Sequence, residues 1–214
     1  KSTAEVWYRL LNLGFRLPAG AGTDAMANYA ALRGPVGMNR VFLDTGGQIT
    51  PAALKEALKS GRTFATNGPL LGLQVDGQGP GGTISRNGPG AVRYKIAFRS
   101  PVAVDHLELV QNGKVVKAFR LNRDRRTLGE TGELLLNAGG WLLLRAWNDG
   151  SDPQVLDLYP YATTSPIYVQ MPGGAPQAKS EAAYFTAWLD RVIADATART
   201  DFRNERERTA TLDY

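Results

Sequence analysis

The chain has 214 residues, 43% hydrophobic and 21% charged, with net charge +5; this is ordinary globular composition, enough for one large domain or two small ones. It has no cysteine and one histidine, which excludes disulfides, thiolate metal sites and cysteine nucleophiles and leaves too few imidazoles for a hydrolytic zinc or manganese centre. The basic balance favours anionic partners, but the arginines are interleaved with acids, as in Arg123-Asp124-Arg125 and in Arg203 to Arg208 with Glu205 and Glu207; such mixed runs mark solvated faces, not a nucleic-acid groove.

Residues 3–15 carry Val6, Trp7, Leu10, Leu11 and Leu13 close to helical spacing, with Gly14 as a stop. The chain opens on Lys1 with this helix pattern and no signal-peptide pattern before it, which suggests a fragment or a processed chain. Leu17 to Asp24 is rich in small residues and predicts a short, buried strand. Asp24 falls at its C-terminal end, where barrels of alternating strands and helices gather their catalytic groups. Residues 25–38 predict an irregular loop and Val41 to Leu43 a short strand. Thr50-Pro51 caps a helix through Ala53, Leu54, Ala57 and Leu58 that Gly61 ends. Thr63 to Thr66 is the next strand, closed by Asn67-Gly68-Pro69. The alternation over 1–66 suits a βα layered domain or barrel, with too few strands to close one.

From residue 70 the pattern changes to short strands and turns. Leu71, Leu73 and Val75 alternate, as do Val92, Tyr94, Ile96 and Phe98. Residues 79–90 predict a long loop. Leu107, Leu109 and Val110 lead into Asn112-Gly113, the strongest short hairpin signal because both central residues need positive φ. Leu128 to Leu136, Trp141 to Trp147 and Ile167 to Gln170 complete about seven strands, the number expected of an antiparallel immunoglobulin-like sandwich. His106 alternates with Leu107 and Leu109, so it shares the outward face with Glu108 and reads as a solvent-facing strand residue. Trp141 and Trp147 share a face with Leu143 and read as core. Asp149, Asp152 and Asp157 lack EF-hand spacing and read as loop. Ser180 can cap a final helix whose Tyr184, Phe185, Trp188, Leu189, Val192, Ile193 and Ala196 form one apolar stripe, expected to dock on the rest of the chain. A second, highly charged helix follows at about 203–212.

Several stretches, in order, resemble one family. Tyr8 to Asn12, Arg16-Leu17-Pro18 and Ala21-Gly22-Thr23-Asp24 look like the final barrel segment of PHP-type metallohydrolases, closest to the carbaryl-hydrolase-like (CehA/McbA) branch. Gly37 to Phe42, Gly61 to Pro69, Val75-Asp76-Gly77, Asn112-Gly113-Lys114 and Thr164 to Val169 continue the series. The resemblance implies a metal-dependent hydrolase of ester, carbamate or phosphoester bonds, in which divalent zinc or manganese lowers the pKa of bound water and polarises the scissile group. The family's His-rich motifs lie upstream of the matching stretches. The resemblance therefore implies that the metal belongs to the full-length protein, with none held by this chain alone. Of the ligands, Asp24 is carried over; where the family has a histidine two residues later, this chain has Met26. Asp24 also reads as a turn-capping residue. Thr66 and Asn67 are candidate substrate-binding residues, although turn chemistry before Gly68-Pro69 explains them better.

The expected fold class is thus α+β, with a barrel-derived remnant over 1–69, a β-sandwich over 70–172 and a C-terminal helical segment over 173–214 packing back. The leading functional expectation is a C-terminal hydrolase fragment, inactive alone, whose sandwich supports a missing N-terminal barrel segment. The alternative is an immunoglobulin-like binding module for a glycan or protein, and a third reading is an assembly element with a basic surface. Apolar surface left by absent barrel strands leaves room for a homodimer. Neither a nucleic acid nor a membrane span is expected, and the compartment stays open, leaning to secreted or periplasmic.

Overall fold

The computed structural model describes residues 2–25, 34–156 and 158–213. It is a mixed α+β structure with an eight-stranded sheet, a three-stranded sheet and helices toward both termini. In chain order the elements are α1 (Ser2–Asn12), β1 (Arg40–Leu43), α2 (Pro51–Ser60), β2 (Thr63–Thr66), β3 (Leu70–Val75), β4 (Thr83–Ser85), β5 (Gly90–Arg99), β6 (His106–Gln111), β7 (Lys114–Ala118), β8 (Thr127–Leu136), β9 (Gly140–Trp147), β10 (Tyr161–Thr164), β11 (Ile167–Gln170), α3 (Ala178–Ala198) and α4 (Glu205–Leu212).

β9 organises the larger sheet. β6 runs along one of its edges; β10 and β11 run along the other, one after the other, on either side of Ser165-Pro166. β2 adds to β10 and β1 to β2, while β7 adds to β6. This sheet therefore draws strands from both sides of residue 69. β3, β5 and β8 make the smaller sheet, antiparallel throughout. Two pairings depart from the sequence reading. β1 and β2 flank a helix yet pair antiparallel, where strand–helix alternation leads to parallel pairing. β4, inside the stretch read as a long loop, is a strand that pairs parallel with β11; three residues are too few for a period-two pattern to stand out.

The two sheets share one core. Leu71, Leu73 and Val75 of β3 and Val92, Tyr94, Ile96 and Phe98 of β5 cluster with Leu107 and Leu109 of β6, Leu142, Leu144 and Ala146 of β9, and Ile167 and Val169 of β11. Each fully buried side chain of this kind contributes about 2 kcal/mol of transfer free energy. On the opposite face of β9, Trp141 and Leu143 join Val110, and Tyr8 and Leu11 of α1 cover them. β9 is thus covered on both faces, which is why Trp141 to Leu144 is a continuous apolar run with no alternation.

Polar ties hold α1 in place. The buried Asn12 accepts from the Trp141 indole N–H at 2.8 Å and donates to Glu181 at 3.1 Å. Arg9 also pairs with Glu181, so β9, α1 and the start of α3 are joined through one amide. Beyond this point α3 diverges from expectation: Trp188, Leu189, Val192 and Ile193 of the stripe are exposed rather than docked. The helix packs back through its first turns only, and it begins at Ala178, so Ser180 lies inside it and donates to the Gln177 carbonyl instead of capping. The strand expected at Leu17 to Asp24 is absent. Its buried backbone finds side-chain partners instead: Ala19 N–H donates to Ser165 Oγ at 2.8 Å, and Thr63 Oγ1 donates to the Ala19 carbonyl at 3.2 Å. Among the described residues, no helix is long and apolar enough to cross a membrane.

Candidate functional site

Two of the three candidate site residues, Thr66 and Asn67, line one cleft of about 570 Å³. Pro18 to Ala21, Asn39, Ala65, Trp7, Tyr159, Tyr161 and Thr163 line it with them. Among the described residues, no charged side chain lines it. The walls are set by local hydrogen bonding. Thr23 Oγ1 accepts from Asn39 N–H at 3.0 Å, which joins the Gly-rich segment to the start of β1. Buried Thr66 donates to the Pro69 carbonyl at 2.6 Å and accepts from Gly68 N–H at 2.9 Å. Asn67 accepts from Tyr161 N–H at 2.8 Å and donates to the Tyr159 carbonyl at 2.9 Å. Thr66 and Asn67 therefore line the cleft while their polar atoms close the β2–β3 turn and tie it to β10.

Asp24 is exposed and sits in the left-handed region at φ 54. Its neighbour Thr23 reaches the cleft rim through Asn39, but Asp24 is not among the lining residues. Met26 lies outside the described residues. Among the described residues, no three His, Asp or Glu side chains are grouped closely enough to hold a metal ion. A larger cleft, about 820 Å³, lies between the stacked Phe42 and Phe64 and the β3–β5 edge, and contains none of the candidate site residues.

Behind Tyr161 lies a polar cluster that the sequence reading missed. Arg145 Nε donates to Glu108 at 2.8 Å, and the Trp147 indole donates to the same carboxylate oxygen at 3.1 Å. Glu108 is buried. Outward alternation with His106 pointed to solvent for both, but α1 and neighbouring aromatics cover this face. His106 is half-exposed, stacks on Trp147 with ring centroids 4.0 Å apart and contacts Asp149 at 2.9 Å. Trp147 is half-buried, against the core position expected, and Asp152 caps the turn at Pro153 by accepting from Gln154 N–H. Asp157 lies outside the described residues.

Burial pushes the Tyr161 hydroxyl well above its ordinary pKa, with Tyr8 beside it adding to the effect. Burial also raises Tyr8, against the opposing pull of Arg145. For Arg145, burial works against the charge, but Tyr8 and Glu108 outweigh it and raise its pKa. The cluster therefore holds one compensated ion pair between two neutral phenols. The Tyr8 hydroxyl itself is fully buried beside Arg145 and Tyr161, without a well-formed hydrogen bond to either. One sequence signal was available: Arg145 is the sole charge within the apolar run Trp141 to Trp147, and a buried cation needs an acid across the sheet. Comparison with family models, with curated proteins and with solved structures finds no match to this chain.

Proposed function

We propose that this chain is the C-terminal part of a PHP-type metal-dependent hydrolase acting on ester, carbamate or phosphoester bonds. In this reading residues 1–69 derive from a βα barrel, residues 70–172 form an immunoglobulin-like sandwich that supports it, and residues 173–214 are a helical extension. The observation that carries the reading is a convergence. Residues of the stretches that resemble the family (Pro18, Ala21, Asn39, and Ala65 to Asn67) are distant in sequence yet line one cleft. A neutral, part-aromatic cleft suits the organic portion of a substrate better than the reacting centre.

The described residues do not fit a catalytic ion by themselves: Asp24 offers one exposed carboxylate, and among the described residues no three ligand groups cluster. Hydrolytic chemistry in this reading belongs to the upstream barrel, with Asp24 completing its ligand set. The test is to express the chain with the coding sequence that precedes it and measure bound zinc and manganese together with turnover of a chromogenic aryl ester. Metal and turnover are expected in the longer product, with Asp24→Asn lowering metal content several-fold. A longer product with neither, or stoichiometric metal and Asp24-dependent turnover in this chain alone, would refute the proposal.

A further inference from the structure

Independently of the hydrolase reading, we propose that the exposed stripe of α3 is a homodimer interface, formed by two copies of α3 packed antiparallel about a two-fold axis between Trp188 and Leu189. Helix α3 leaves the body after its first turns: Glu181 is buried against Arg9 and Asn12, but Tyr184 is 40% exposed, Trp188 46%, Leu189 62%, Val192 51% and Ile193 61%. Such side chains expose on the order of 100 Å² each. Two copies would then cover on the order of 1,000 Å², the size at which a specific interface becomes sustainable.

The stripe is its own complement. Its N-terminal half is aromatic (Tyr184, Phe185, Trp188) and its C-terminal half is branched aliphatic (Leu189, Val192, Ile193). An antiparallel two-fold sets Tyr184 against Ile193 of the second copy, Phe185 against Val192 and Trp188 against Leu189, so each large ring meets a smaller aliphatic group. Closed symmetric pairing requires this correspondence. Charges agree with it. Asp195, at the edge of the stripe one turn after Arg191, falls opposite Ala182 of the second copy, and Asp190 lies on the far face of the helix. A parallel pair in register would instead oppose Trp188 to Trp188 and Asp195 to Asp195, leaving gaps around Val192 and a like-charge contact.

The chain has no native cysteine, so single cysteines can report the geometry. Sedimentation analysis of the unmodified chain at tens of micromolar is expected to show a dimer. Val192→Glu should weaken it at least tenfold while far-UV circular dichroism stays unchanged. Under oxidation Leu189→Cys, beside the axis, should form a disulfide-linked dimer. Ile193→Cys should not, because its copy lies nine residues away along the axis, about 13 Å, beyond disulfide reach. A monomer at these concentrations, or efficient cross-linking at Ile193, overturns the proposal.

Discussion

At the residue scale, the two buried tyrosines behave differently from surface ones. The Tyr8 ring packs on Trp141 with centroids 4.9 Å apart, but its hydroxyl is buried beside Arg145 and Tyr161 without a well-formed hydrogen bond. An unmet buried hydroxyl costs about 1–3 kcal/mol. Tyr8→Phe is therefore expected to leave thermal stability unchanged or raise it, by up to about 1 kcal/mol in a denaturant titration; a loss above that would show that the hydroxyl has a partner in solution. Titration gives a second prediction. Burial raises both Tyr8 and Tyr161 above the ordinary 10.0. A raised folded pKa means the unfolded chain loses its protons first, so the stabilisation is complete below pH 10 and is lost as pH rises from there through the folded values. Absorbance at the phenolate band should show these two tyrosines ionising after the exposed ones, together with unfolding. Ionisation of all eight tyrosines in one step near 10, with the fold intact, would contradict this.

At the element scale, short-range chemistry was the legible part. Thr50 caps α2 by accepting from Ala53 N–H at 3.1 Å, and Gly61 ends it at φ 74, as Thr-Pro and Gly imply. Asn112 and Gly113 both take positive φ, 51° and 84°, as their hairpin requires. The rest depended on contacts between distant segments. Nothing in Thr83 to Ser85 announces a partner at Tyr168 to Gln170, and the outward spacing of Glu108 gave no warning that α1 would roof it. For the candidate site, Thr66 and Asn67 were legible as turn residues and do close a turn; their place in a cleft depends on Pro18 to Ala21, distant in sequence, lining it with them. The turn before β9 shows how such dependence works. Asn112 Oδ1 accepts from Trp141 N–H at 3.0 Å, and Gly140, at φ 126, lets it approach; a methyl there would lie 2.0 Å from that oxygen. Gly140→Ala should cost about 3 kcal/mol, the sum of backbone strain and a lost buried hydrogen bond, readable as a lower midpoint in chemical unfolding. A change under 1 kcal/mol would mean the turn can rearrange.

At the scale of the whole molecule, stability and assembly separate. The shared core of the two sheets contains no residue of α3 or α4, and α3 is tied to the body by Glu181. Ending the chain after Phe185 should therefore shift the thermal midpoint by only a few degrees while abolishing self-association; cooperative unfolding lost on truncation would show that the extension belongs to the folding unit. The sheet order has a different consequence, for the time at which the chain acquires its shape. β2 must wait for β10, with Thr66 paired to Ala162, and β4 must wait for β11. While a ribosome is still translating the second half, β1 and β2 have only each other, Phe42 against Phe64, and Ile84 has no neighbouring strand to shelter it. Completion thus waits for residues 161–170 and is slow, on the order of milliseconds to seconds for so non-local a topology. The nascent first half is a natural client for a chaperone that holds extended apolar segments.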